Sequence, residues 1–309
     1  MDRSAVRFRR CSSTVDPRSA LRAPRAGHTL APVPLPPPAP AATALVTGAS
    51  SGIGTEFARA LAARGHGVTL VARRADRLER LAGELSERHD VRAEVVKVDL
   101  AVPGERDRLA AEIEGRGLTV EILVNNAGFG VYVPFADSDR ERELEQVRLL
   151  VEAVVDLNAR YVPGMAERGR GAVINLSSTS AFQPLPGNAN YAASKAFVLL
   201  HGEALHDEVA GHGVTVTTVC PGPVPTEFME TSEPTFVKRV PKALWVAAAR
   251  VAEDGLRAAE EGRRTVIPGG PLVRAAFAPN RAAPTTITLP VTRALMSGEL
   301  ARGRRAKSK

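Results

Sequence analysis

The segment Thr47-Gly-Ala-Ser-Ser-Gly-Ile-Gly54 constrains this chain more than any other. It follows an apolar run, Ala44-Leu45-Val46, and leads into a helical pattern in which Phe57 and Leu61 stand four residues apart. Strand, glycine turn and helix in that order form the context a dinucleotide-binding loop requires. Gly48 permits a tight turn, while Gly52 and Gly54 let the backbone approach a pyrophosphate and the helix approach the sheet. Ser50, Ser51 and Ile53 complete the loop. The helix start offers its free N–H groups and positive dipole end to phosphate oxygens. An ordinary β–α connection with three glycines satisfies the same pattern, so the loop alone leaves both readings open.

The body of the chain continues the alternation. Strand candidates are Ala44–Thr47, Val68–Ala72, Ala93–Val98, Ile122–Asn125, Ala172–Ser177, Thr215–Cys220 and Thr265–Pro268. Their Val and Ile content with little polar alternation suits strands buried on both faces. Helical patterns fall between them, near Thr55–Arg64, Asp76–Arg88, Gly104–Glu114, Asp139–Arg168, Asn190–Ala210 and Lys242–Glu261. Pro163 is expected to kink or end the helix over Asp139–Arg168. This order predicts one α/β domain, a doubly wound parallel sheet of about seven strands over residues 42–270. Beyond Gly270 the prolines 279, 284 and 290 allow at most short helices. Residues 271–309 could cap the core, cover a cleft or reach a partner subunit.

Tyr191 and Lys195 are the second informative pair. Four residues apart, they share one helix face, so an ammonium can sit beside a phenol. That charge favours phenolate and is expected to pull the tyrosine down from about 10, making it a proton carrier for a substrate oxygen. Ser178, thirteen positions upstream of Tyr191, is the third member, with Ser177 as its rival. Taken singly, each residue reads more readily as a core tyrosine, a surface lysine or a turn serine.

Together, the glycine loop, Asn125-Asn126-Ala127-Gly128 and the Ser178, Tyr191, Lys195 set resemble the short-chain dehydrogenase/reductase family, from about Ala42 to about Pro268. The resemblance implies an oxidoreductase moving a hydride between a nicotinamide cofactor and a carbonyl or secondary alcohol. It gives Tyr191 the acid/base role, Ser178 a hydrogen bond to the substrate oxygen and Lys195 a further bond to the nicotinamide ribose. It also implies that Asp99 meets the adenine amino group, Asn126-Ala127-Gly128 the adenosine ribose, and Val224 and Thr226 the nicotinamide amide. One position departs from the family. An asparagine that usually helps hold a water relay to the lysine falls here on Leu150, and Asn158 lies eight residues away. A non-catalytic cofactor-binding regulator is therefore the alternative reading.

Arg73-Arg74 follow the second strand, where an NAD binder places a carboxylate for the ribose 2′-hydroxyl. Two guanidiniums suit a 2′-phosphate, which favours NADP(H) over NAD(H), although a solvated helix start looks the same. Phe129, Val131, Tyr132, Phe182, Pro184, Leu185, Phe228 and Met229 gather near the predicted cleft ends of the strands; they either line a pocket for a lipophilic small-molecule substrate or belong in part to the core.

Composition excludes other classes. A formal charge of +7 would suit a nucleic-acid binder, but residues 1–41 hold seven arginines against two aspartates, and 301–309 five basic residues and no acid. The basic excess lies in the ends and not on a folded face. Cys11 and Cys220 imply no disulfide framework, His201, His206 and His212 have no metal-like spacing, and no run is apolar enough to span a membrane. The Arg- and Pro-rich residues 1–41 read as a disordered extension. A cytoplasmic enzyme is expected, pairing as a homodimer or homotetramer by family resemblance.

Overall fold

Each inner strand carries large apolar side chains on both of its faces, and the sheet sorts them by alternation. In the computed structural model, which describes residues 35–232 and 239–306, Ala44 and Val46 point to one layer and Leu45 to the other. Ile122 and Val124 divide from Leu123 in the same way, and Ala172 and Ile174 from Val173. Most of the extension expected at 1–41 lies outside the described residues.

The strands are β1 (Ala42–Thr47), β2 (Val68–Ala72), β3 (Ala93–Lys97), β4 (Thr119–Asn125), β5 (Gly171–Leu176), β6 (Val214–Val219) and β7 (Thr265–Val266). They form a seven-stranded sheet in the order β3-β2-β1-β4-β5-β6-β7, every pair parallel. The layer on one face is built by α1 (Gly52–Ala62), α2 (Ala75–His89) and α8 (Ala248–Glu260), through Phe57, Leu61, Leu78, Leu85, Val251 and Leu256. The other comes from α3 (Pro103–Gly115), α5 (Ala153–Glu167) and α6 (Ala189–Val209), through Leu109, Ile113, Leu157, Met165 and Val209. The strand order reverses between β1 and β4, which opens a crevice at their carboxyl ends.

Three helical expectations change. The long pattern from Asp139 divides into α4 (Arg140–Val147), one π-helical turn over Arg148–Glu152, and α5. Pro163 does not end α5, which runs on to Glu167 although the proline has no N–H to give the Ala159 carbonyl one turn back. The pattern from Lys242 breaks after a 3-10 turn over Lys242–Leu244 and resumes as α8 at Ala248. A short helix α7 (Glu227–Ser232) follows β6. The C-terminal region forms α9 (Pro271–Phe277), α10 (Thr285–Leu295) and α11 (Ser297–Ala306). Val273 joins the core of the first layer, so this region docks on the sheet domain.

The glycine turn depends on contact between backbones. Gly48 has φ +66°, and a Cβ on Gly54 would stand 2.4 Å from the Gly48 carbonyl oxygen. Backbone cannot yield to that contact, so Gly54→Ala is expected to cost about 1–3 kcal/mol and lower the melting temperature by roughly 2–4 °C per kcal/mol. Gly104→Ala, where nothing lies within 4 Å, is the control and should leave it unchanged or slightly higher. Equal thermal unfolding curves for the two variants would refute this account of the turn.

Candidate active site

The loops after β1, β4, β5 and β6 enclose a cleft of about 400 Å³. At one end they are stitched together by Thr47. Its hydroxyl donates to the Val124 carbonyl at 3.1 Å and accepts from the backbone N–H groups of Asn126 and Ala127 at 2.9 and 3.0 Å. The Asn126 amide donates to the Thr47 carbonyl at 2.9 Å, so its side chain fastens the glycine turn. The first turn of α1 has neither a side-chain cap from Ser51 nor an acidic residue. Its N–H groups and dipole are left for an external anion, a donor set that suits the pyrophosphate of a dinucleotide.

At the other end Ser178, Tyr191 and Lys195 are all buried and all line the cleft. Lys195 Nζ donates to the Leu176 carbonyl at the end of β5, at 2.7 Å, and stands 5.7 Å from the centre of the Tyr191 ring. Tyr191 hydrogen-bonds Ser178, whose Oγ also accepts from the Ser180 N–H at 3.0 Å. Ser177, the rival, donates its hydroxyl to the Lys195 carbonyl at 2.6 Å and is occupied holding the helix. The geometry therefore separates the two serines.

The titration of this group corrects the sequence-based expectation. Burial pushes the Tyr191 phenol up to about 12, against a hydrogen bond from Ser178 that works the other way. Burial also brings the Lys195 ammonium down to about 8. In the protein by itself burial dominates both groups, because each charged form would be removed from water. Tyr191 is held as a phenol, the form that donates a proton.

Leu150 sits in the π-helical turn and is buried. A Cβ on Gly128 would meet Leu150 Cδ2 at 2.7 Å and Lys195 Nζ at 4.0 Å, so this leucine packs beside the lysine head. Asn158 points elsewhere. It accepts from the Asn125 amide at 2.9 Å and lies 3.2 Å from the His201 ring.

The two arginines after β2 have different surroundings. Arg74 donates from Nε and Nη2 to Ser50 Oγ at 3.2 and 3.0 Å, and from Nη2 to Ser51 Oγ at 3.0 Å. Arg73 is more exposed and lies 3.6 Å from Asp99 and 3.5 Å from Glu145. Asp99 accepts from the Ala101 N–H at 3.0 Å and lines the cleft with Gly48, Gly52, Ile53, Asn126, Val224 and Thr226. Gly54 lies behind that surface, against Gly48. The Thr226 methyl lies 3.0 Å from where a Cβ on Gly52 would be, closing the loop from above.

Of the expected apolar wall, Phe129, Tyr132, Leu185, Phe228 and Met229 line the cleft. Phe182 does not, because it packs into a small core with Leu199 and Cys220. Val131 and Pro184 are also outside the lining. Sequence reasoning missed Phe277, Leu295 and Met296, which the C-terminal helices bring to the cleft. Their distance along the chain gave no local signal. Among the described residues no cluster of acidic, His and Cys side chains could hold a metal ion, and no helix is long and apolar enough to cross a membrane.

Comparison with known proteins decides the family. Residues 42–235 match the family model described as short chain dehydrogenase. The chain belongs to that family. It is a short-chain dehydrogenase/reductase, an oxidoreductase acting on C=O and CH–OH groups. A very-long-chain 3-oxoacyl-CoA reductase of Anas platyrhynchos is 36% identical over 229 residues, covering 72% of this chain and 71% of that protein. The Homo sapiens protein of that name is 32% identical over 223 residues, 71% of this chain and 70% of the other. Among solved structures, a short-chain dehydrogenase from Sphingobium yanoikuyae in complex with NADPH superposes with TM-score 0.69 at 32% identity, covering 78% of this chain and 92% of that one. A 7β-hydroxysteroid dehydrogenase gives TM-score 0.72 at 26% identity, covering 81% and 96%.

All three tyrosines of this dehydrogenase/reductase are pushed up by burial, Tyr161 and Tyr191 to about 12 and Tyr132 well above the ordinary value. An ordinary tyrosine is half ionised near pH 10. The phenolate ultraviolet absorbance of the cofactor-free protein should therefore be nearly flat through pH 10 and rise only toward 12. For an acid whose pKa is raised on folding, the stabilisation is complete below the unfolded pKa and disappears as pH climbs through the folded one. Thermal stability should thus decline between pH 10 and 12. One tyrosine ionising near pH 8 in a protein still folded would contradict the account.

Proposed function

We propose that this enzyme uses NADPH to reduce the ketone of a lipophilic substrate, with a 3-oxoacyl thioester as the leading class. The observation that carries the reading is the buried Ser178–Tyr191–Lys195 group, which stands between a dinucleotide loop and an apolar wall in one cleft. Support for the substrate class comes from the names of the relatives and from Phe129, Leu185, Phe228, Met229 and Met296 in that wall. Support for the 2′-phosphate comes from Arg74 and Ser50, a guanidinium and a hydroxyl that meet beside the helix start.

The cofactor, when bound, supplies the hydride. Tyr191 gives its proton to the ketone oxygen, and Ser178 donates a hydrogen bond that stabilises the negative charge developing there. Lys195, anchored by the Leu176 carbonyl, fixes the helix turn that aims Tyr191 and holds the ribose. Its charge favours the phenolate left after transfer. Leu150 offers no hydrogen bond to a water at the lysine head, so the proton returns to Tyr191 by another path. Val155 on α5 and Phe197 and Leu200 on α6 remain exposed in the single chain and support pairing through these helices.

The test is a panel of ketones followed by NADPH absorbance, with NADH in parallel. 3-Oxoacyl thioesters should outperform short polar ketones, and kcat/KM should rise on the order of tenfold per two added carbons until the cleft is full. Tyr191→Phe should cut kcat by about 10²–10⁴-fold while leaving NADPH affinity within about twofold. Saturable NADPH binding without turnover on any carbonyl would favour the non-catalytic regulator instead.

A further inference from the structure

Arg74 faces two ways. Nε and Nη2 rest on the serines of the glycine loop, while Nη1 lies 2.8 Å from both carboxylate oxygens of Glu227. Glu227 is the first residue of α7, and Arg77 of α2 donates to its Oε2 at 2.7 Å. One carboxylate therefore sits between two guanidiniums, beside the loop that binds phosphate. The residues flanking it belong to both ends of the cleft. Thr226 covers Gly52 of the glycine loop, and Phe228 stands against Tyr191, ring centres 5.8 Å apart at 45°. Phe228 and Met229 are also part of the apolar wall.

We propose that Glu227 occupies the place on Arg74 that a dinucleotide's 2′-phosphate takes, and that it acts as a latch determining cofactor specificity. The inference rests on the NADP(H) reading above and deepens it. Arg74 Nη1 gives its N–H groups to both Glu227 oxygens, so a phosphate that takes either one competes with the carboxylate and meets a like charge beside it. Glu227, Arg74 and Arg77 are each only partly covered, with side chains 28%, 39% and 39% exposed. Their pairs are correspondingly weak, and a phosphate dianion held by Arg74 and Ser50 displaces the carboxylate. Glu227 keeps Arg77 as its partner, so the start of α7 shifts without being released, and Phe228 shifts with it against Tyr191. A dinucleotide lacking the 2′-phosphate leaves the latch closed. The 2′-phosphate is thereby read at the substrate wall as well as at the ribose.

The experiment measures calorimetric binding of 2′,5′-ADP and of ADP to the full chain, with thermal unfolding as a check that each variant folds. In the wild type 2′,5′-ADP should bind more tightly than ADP. Glu227→Gln should tighten 2′,5′-ADP on the order of tenfold and leave ADP within about twofold. Arg77→Met leaves Arg74 as the carboxylate's guanidinium partner and should weaken 2′,5′-ADP several-fold, again with ADP unchanged. A variant that shifts both ligands in parallel indicates a general charge effect and overturns the latch. So does a Glu227→Gln protein with the wild-type ratio of affinities, and in that case the NADP(H) reading survives. Equal wild-type affinity for the two ligands removes the 2′-phosphate reading and the latch together.

Discussion

The hydrogen bond from Lys195 to the Leu176 carbonyl is the contact on which the catalytic arrangement depends. It joins α6 to the end of a central strand directly, at 2.7 Å. The carbonyl is available because β5 ends there and its oxygen has no further strand residue to satisfy. The ammonium is brought inside because it finds that acceptor, and a buried ammonium without one would be prohibitive. Once Lys195 is fixed, Tyr191 one turn earlier can face only the loop after β5, where Ser178 meets it. The Ser177 hydroxyl on the Lys195 carbonyl secures the same turn from the backbone side. The chemistry of the site is thus a consequence of how one helix is fastened to one strand.

Burial works against that chemistry as well as for it. The dry setting that strengthens each electrostatic contact also disfavours charge on both groups, which is why the phenol moves up and the ammonium down. Reduction suffers least from this, since it begins with a neutral phenol giving up its proton. Oxidation needs phenolate at the start and meets the desolvation penalty directly. A positively charged oxidised nicotinamide in the cleft would offset part of the penalty. The protein's own groups therefore hold Tyr191 in the protonated form from which a reduction begins.

What was legible in the sequence was whatever physics makes local. Gly48 needs a positive φ and Gly54 a missing side chain, so the turn had to be written in glycine. Tyr191 and Lys195 share a helix face at any i, i+4 spacing, and the strand alternation carries the sheet. The failures all concern tertiary context. Phe182 and Phe228 both follow strand ends, yet one is core and the other is wall, because the 3-10 turn after β5 packs Phe182 on Leu199 and Cys220 while α7 sets Phe228 at the cleft. The tyrosine's pKa was misjudged because a neighbouring charge is visible in a sequence and burial is not. Leu295 and Met296 lie about a hundred residues beyond Tyr191, and no periodicity could assign them to its cleft.

Leu150 shows how a departure from a family pattern acquires meaning only from its surroundings. On paper it is a missing asparagine and an argument for lost activity. In the fold it fills a π-helical turn, a place where helices often carry functional residues, and its side chain packs on Gly128 beside the lysine head. A leucine there excludes water and so lengthens the proton's route back to Tyr191. It adds an apolar group near the buried lysine, whose ammonium is held by the Leu176 carbonyl. An inert scaffold would have no need to retain a buried lysine, its serine and a tyrosine aimed into one cleft, so the substitution reads as a retuned enzyme and not as a discarded one.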